Sequence, residues 1–161
     1  MRWMFGLIAF LGLATALTAT PVSLESLTGD YFHGDGLGVN RWLSVYPDGT
    51  YSYMWRGCLG VYANTSGRVS LDEKGGAFFG PHEKEGEGGL GLRFQVVRWG
   101  ERTYLVHEDE LLKLVEGINR GDEPRMGRQG WFYLRDGDWE RPADGAPDLP
   151  AAYADLIRPP R

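Results

Sequence analysis

Six residues able to do polar chemistry fall within one short stretch: His33, Asp35, Asn40, Arg41, Arg56 and Cys58. Two glycine-rich knots carry most of them, "GDGLGVN" at 34–40 and "RGCLGVY" at 56–62. Arginine can hold an anion, and glycine lets backbone amides approach a ligand closely. A cysteine beside a histidine is the minimum for thiol nucleophilic catalysis. The conformational use of glycine competes with the binding one. Two tight loops packed together also need it, and that is its commoner use.

The element between the knots decides whether these residues meet. "RWLSVYPDGTYSYMW" places Pro47-Asp48-Gly49 between two alternating runs, and that is turn chemistry. With a three-residue loop, Tyr46 pairs with Thr50, Val45 with Tyr51, Leu43 with Tyr53 and Arg41 with Trp55. Leu43, Val45, Tyr51, Tyr53 and Trp55 then share the core face. A one-residue slip would exchange the two faces. Both knots fall at the end of the hairpin away from the turn. The expectation is one rim formed by Asp30, His33, Asp35, Asn40, Arg41, Arg56 and Cys58, with Tyr53 and Trp55 as an aromatic wall beneath it.

Other chemistries find less support. "GEGGLG" at 86–91 matches a dinucleotide-binding pattern, but it lacks the preceding strand and following helix that the motif requires. His33, His82 and His107 have no metal-ligand spacing, so no metal is expected. Asp136, Asp138 and Glu140 alternate like half a calcium loop, yet Arg141 stands where the turn glycine belongs. No motif marks Cys58 as a nucleophile, and no pair of carboxylates stands out for glycoside hydrolysis. Asn64-Thr65-Ser66 is a glycosylation sequon of three residues only.

Composition sets the compartment. Arg2 precedes an apolar run at 3–17, followed by small residues around Ala16 and Ala19. These are the parts of a signal peptide, expected at 1–19. The run is short for a membrane span, which needs about 20 residues, so none is expected after cleavage. Removing Arg2 moves the net charge of −5 to −6, because the segment holds no acid. A mildly acidic exported domain without a basic run is a poor nucleic-acid binder. Cys58 is the single cysteine, which excludes an intramolecular disulfide. A lone cysteine behaves as a small hydrophobe, so burial is expected for it.

The rest of the chain reads as short strands. "LRFQVVRWGERTYLVHE" is a second hairpin about Gly100-Glu101, pairing Trp99 with Arg102, Val97 with Tyr104 and Phe94 with His107. Phe94, Val96 and Leu105 share one face, and Val97, Trp99, Tyr104 and Val106 the other, so both faces should be covered. Further strands are expected at 29–33, 60–62, 67–71, 77–79 and 130–135. One helix is expected at about 108–120, with Leu111, Leu112, Val115 and Ile118 inward and Gly121 as its stop. The fold class is mainly β: an antiparallel meander closing into a small barrel or sandwich. Residues 20–140 form its domain, and 141–161 an extended tail with room for a short helix at 151–157.

"LTGDYFHGDGLGVNRWLSVYPDGTYSYMWRGCLGVY", "VRWGERTYLVHEDELLKLVEGINRGDEPR" and "GWFYLR" together resemble a group of exported bacterial proteins of unassigned function. More loosely, the L-x-V-x-x-D-G-T-Y hairpin followed by G-R-V resembles the meander of small lipocalin-like envelope proteins, which often carry tryptophan where Val69 stands. The resemblance implies an exported lipocalin-like barrel and carries over no catalytic residue. The chain thus reads as a periplasmic or extracellular non-enzymatic protein without a cofactor. It would bind a small molecule, a lipid or an envelope component. An interaction module using an aromatic sheet face, and a hydrolase, are the alternatives.

Overall fold

The computed structural model describes residues 22–81, 90, 92–122 and 132–158. Eight antiparallel strands close into a barrel in sequence order. They are β1 (Gly29–Gly34), β2 (Val39–Val45), β3 (Thr50–Gly57), β4 (Gly60–Leu71), β5 (Gly76–Pro81), β6 (Leu92–Trp99), β7 (Arg102–His107) and β8 (Phe132–Arg135). Pairing of β8 with β1, Tyr31 opposite Arg135 and Phe32 opposite Leu134, closes the ring. Closure removes the open edges that would otherwise invite aggregation.

Both hairpins have the register that their turn residues dictate. Val45 faces Tyr51, Leu43 faces Tyr53 and Arg41 faces Trp55. Trp99 faces Arg102, Val97 faces Tyr104 and Phe94 faces His107. The alternation then builds two cores on opposite sides of one wall. Leu43, Val45, Tyr51, Tyr53, Phe79, Phe94, Val96, Leu105 and Tyr133 fill the barrel. Val97, Trp99, Tyr104, Val106, Phe132 and Leu134 form the outer core, beneath α2 (Leu111–Arg120).

A 3₁₀ turn at Glu108–Glu110 leads into α2, and Gly121 ends it in the left-handed conformation at φ 83°. Leu111, Leu114, Val115 and Ile118 face the barrel, at the spacing i, i+3, i+4, i+7. Leu112, expected inward, is 50% exposed, because Leu114 occupies that face. Gly117 costs the helix about 1 kcal/mol. Each buried leucine or valine returns about 1.5–3 kcal/mol, so the tertiary contact wins.

The C-terminal segment lies along the second hairpin. Trp99 Nε1 donates to Gly145 O at 2.9 Å, Arg102 Nε donates to Arg141 O at 2.5 Å, and Asp148 N donates to Arg98 O at 2.7 Å. Leu149 is buried there, and α3 (Ala151–Ala154) adds Tyr153 to the outer core.

Two features were not legible in the sequence. β4 is one strand of twelve residues, where two short ones were expected. A four-residue helix, α1 (Leu24–Leu27), precedes β1 behind a reciprocal cap between Ser23 and Ser26. Leu27 is fully buried and its carbonyl accepts from the Tyr31 hydroxyl at 2.8 Å. Leu24 and Val22 pack against the barrel core beside the turns at Gly49 and Gly75, closing that end.

Candidate functional site

The opposite end of the barrel holds a cavity of about 160 Å³ lined by His33, Arg41, Leu92, Phe94, His107, Glu110 and Tyr133. Strand alternation aims the contributors inward. His33 ends β1 and Arg41 starts β2, paired across the strands. Phe94 on β6 faces His107 at the end of β7. Tyr133 on β8 reaches across, its ring 5.2 Å from that of His33 and 5.5 Å from that of Phe94.

Arg41 is the cation of this mouth. Its guanidinium carbon lies 4.9 Å from the centre of the Trp55 ring, a cation–π contact. Arg41 Nε and Trp55 Nε1 are both buried without a hydrogen-bond partner. Glu110, the acid at the cavity, is paired with Lys113 at 2.5 Å, one helical turn away. Tyr133 and Tyr53 interact through their hydroxyls, and Arg41 approaches Tyr133. Burial raises the phenols of both tyrosines, that of Tyr133 well above the usual range, so both stay protonated and neutral in ordinary conditions.

The expected rim divides on this geometry. His33 and Arg41 line the cavity, while Tyr53 and Trp55 belong to the barrel core beside them. Asn40 and Arg56 pair with each other and lie one residue from Arg41 and Trp55, which turns them to the outer face. Asp30 lies at the closed end, where its carboxylate accepts from Ser44 Oγ at 2.5 Å. Of the seven described lining residues, the expected rim held two, His33 and Arg41. Phe94, His107, Tyr133 and Glu110 come from the far side and needed the closure of the barrel to be seen.

The two knots touch, and the polar groups of the first serve its own backbone. Asp35 Oδ1 accepts from the amides of Leu37 and Gly38 at 2.8 Å and from Val39 at 3.3 Å. Those hydrogen bonds, led by that of Gly38, hold its carboxyl below the usual range. Asn40 Oδ1 accepts from Gly36 N at 2.9 Å. The amides of the first knot from Gly36 to Val39 are thus already used. Gly57 has no room for a side chain, since a Cβ would press on the Tyr62 ring and lie 3.1 Å from Gly38 O. The polar groups of the first knot and the glycine at 57 therefore serve local packing.

Cys58 corrects the expectation of burial. It is exposed at the β3–β4 turn, its Sγ 3.8 Å from Gly38 O, because a two-residue tip between Gly57 and Gly60 has no interior. It is not among the residues lining the cavity that His33 shares, so the geometry supplies no thiol–imidazole pair at the mouth. The native protein should therefore react with one equivalent of a thiol reagent without denaturant. A thiol that titrates only after unfolding would contradict this placement.

Among the described residues no group of three or more His, Cys, Asp or Glu is placed to hold a metal ion. Asp138, from the half-calcium pattern, is instead buried against Arg135 and Arg141. No helix among the described residues is long and apolar enough to cross a membrane. Compared with protein-family models, curated proteins and solved structures, the chain matches none.

Proposed function

We propose that this chain is an exported, non-enzymatic binding protein that holds a small molecule in the mouth of its barrel. The carrying observation is the cavity itself, which is closed below by packed rings and bordered by polar side chains. Its volume of about 160 Å³ lies under the roughly 300–1,000 Å³ of drug-sized pockets, which favours a small ligand over a lipid with a full acyl chain. The apolar N-terminal segment supports export.

A second reading has its own observation. Leu37 and Leu59, at the tips of the two knots, are 83% and 90% exposed, with Val61 and Tyr62 about half exposed beside them. Exposed apolar groups gathered at one end favour an interaction module.

Native mass spectrometry separates the two. Protein incubated with the small-molecule extract of its own compartment should carry one stoichiometric adduct that is released on denaturation. Apo mass alone, both as purified and after incubation, would sink the mouth reading. A complex with a second protein would favour the other.

A further inference from the structure

The mouth reading leaves the ligand's chemistry open, and Arg41 narrows it. A guanidinium is always charged and is costly to withdraw from water without an anion. No ion pair or side-chain hydrogen bond from Arg41 to an acid occurs among the described residues, and its Nε–H is buried and unused. Trp55, stacked against it, carries a second buried and unused N–H. The two residues face each other across the β2–β3 pair, with the guanidinium against the indole ring. Glu110 also lines the cavity, with Oε2 buried and without a well-formed hydrogen bond; Lys113 Nζ lies 2.5 Å from that oxygen and offsets its charge. Of Arg41 and Trp55 only Arg41 lines the cavity, and an unused donor on a permanent cation asks for an acceptor that is itself negative. The other walls are Leu92 and Phe94, which are apolar, together with His33, His107 and Tyr133.

We infer that the mouth takes a small oxyanion, held by Arg41, with Leu92 and Phe94 accepting a short apolar body where the anion is a carboxylate; Trp55, stacked on Arg41 just outside the cavity, senses its occupation. This rests on the barrel mouth being the binding site. Hydrogen bonds to a charged acceptor are about twice as strong as neutral ones, so the preference for an anion over its neutral isostere should be measurable.

The test uses the whole exported protein labelled with ¹⁵N, following the Trp55 indole N–H, identified by its loss in Trp55→Phe. Butyrate, butyramide and inorganic phosphate are titrated separately at constant ionic strength. Butyrate should shift the Trp55 resonance saturably, and butyramide at least tenfold more weakly. Arg41→Met, which keeps the stem against Trp55, should weaken butyrate at least tenfold, while Arg41→Lys should retain part of the affinity. Phosphate binding as tightly as butyrate would mark an inorganic oxyanion as the source. Weaker phosphate binding would mark an organic acid. Equal shifts by butyrate and butyramide, or butyrate binding unchanged in Arg41→Met, would overturn the anion inference and leave the mouth reading standing. No saturable change with any probe would overturn the inference. If the compartment's extract then also left the mouth unchanged, the mouth reading would fall with it.

Discussion

Replacing Asp138 by alanine should remove about 3–4 kcal/mol of unfolding free energy. The carboxylate is 1% exposed and takes three kinds of donor. Thr103 N reaches Oδ2 at 2.8 Å, Arg135 Nε reaches the same oxygen at 3.1 Å, and Arg141 Nε lies 3.5 Å from Oδ1. Truncation leaves the Thr103 amide buried without an acceptor, which alone costs about 1–3 kcal/mol. It also leaves Arg135, with a quarter of its side chain exposed, without its acid. Arg141 is half exposed and contributes little, as surface pairs do. Asp138→Asn keeps an acceptor for the amide and should lose about half as much. Urea unfolding monitored by fluorescence, at unchanged slope, measures both. A loss under about 1 kcal/mol for the alanine variant would show that this carboxylate does not tie β7 to β8.

The second large effect is steric. Gly67 sits on β4 where the strand pairs with Tyr51 of β3 on one side and Pro81 of β5 on the other. A Cβ there would collide with the backbone carbonyl oxygen of Gly80 and lie 2.8 Å from Cε1 of Tyr51. The first neighbour is main chain and cannot rotate away. The second is a fully buried ring whose hydroxyl accepts from Leu90 N at 2.6 Å. Overpacking of this kind costs about 1–3 kcal/mol and more where the backbone must move, so Gly67→Ala should lose about 3 kcal/mol. Ser66→Ala, one residue away and exposed, is the control and should be nearly neutral. Equal stability of the two variants would refute the close approach of β4 to β5.

These two sites differ in how visible they were from the sequence. The hairpins at 41–55 and 94–107 were readable because Pro-Asp-Gly and Gly-Glu fix the turn, and the turn fixes every pair above it. β4 was not readable as one strand, because Ala63 to Ser66 are small or polar and give no contrast between faces. Leu112 was misplaced for a related reason. Adjacent leucines at 111 and 112 both fit a helical period, and only the contact with the outer wall chose Leu114. Cys58 shows where residue type misleads: the glycines on either side of the tip held more information than the thiol. At the mouth, the same parity that placed Arg41 and Trp55 inside also excludes Asn40 and Arg56. Tyr133 and His107 depended on closure between distant strands, a long-range event that no local pattern encodes.

The barrel is shut by α1 at one end and open at the other, so the molecule has a direction. The chain enters through Val22 and Leu24, at the shut end. Any surface that grips the protein at Val22 itself therefore draws the sealed base towards it and turns the mouth outward. An affinity handle placed there would immobilise the protein with its cavity facing the solution.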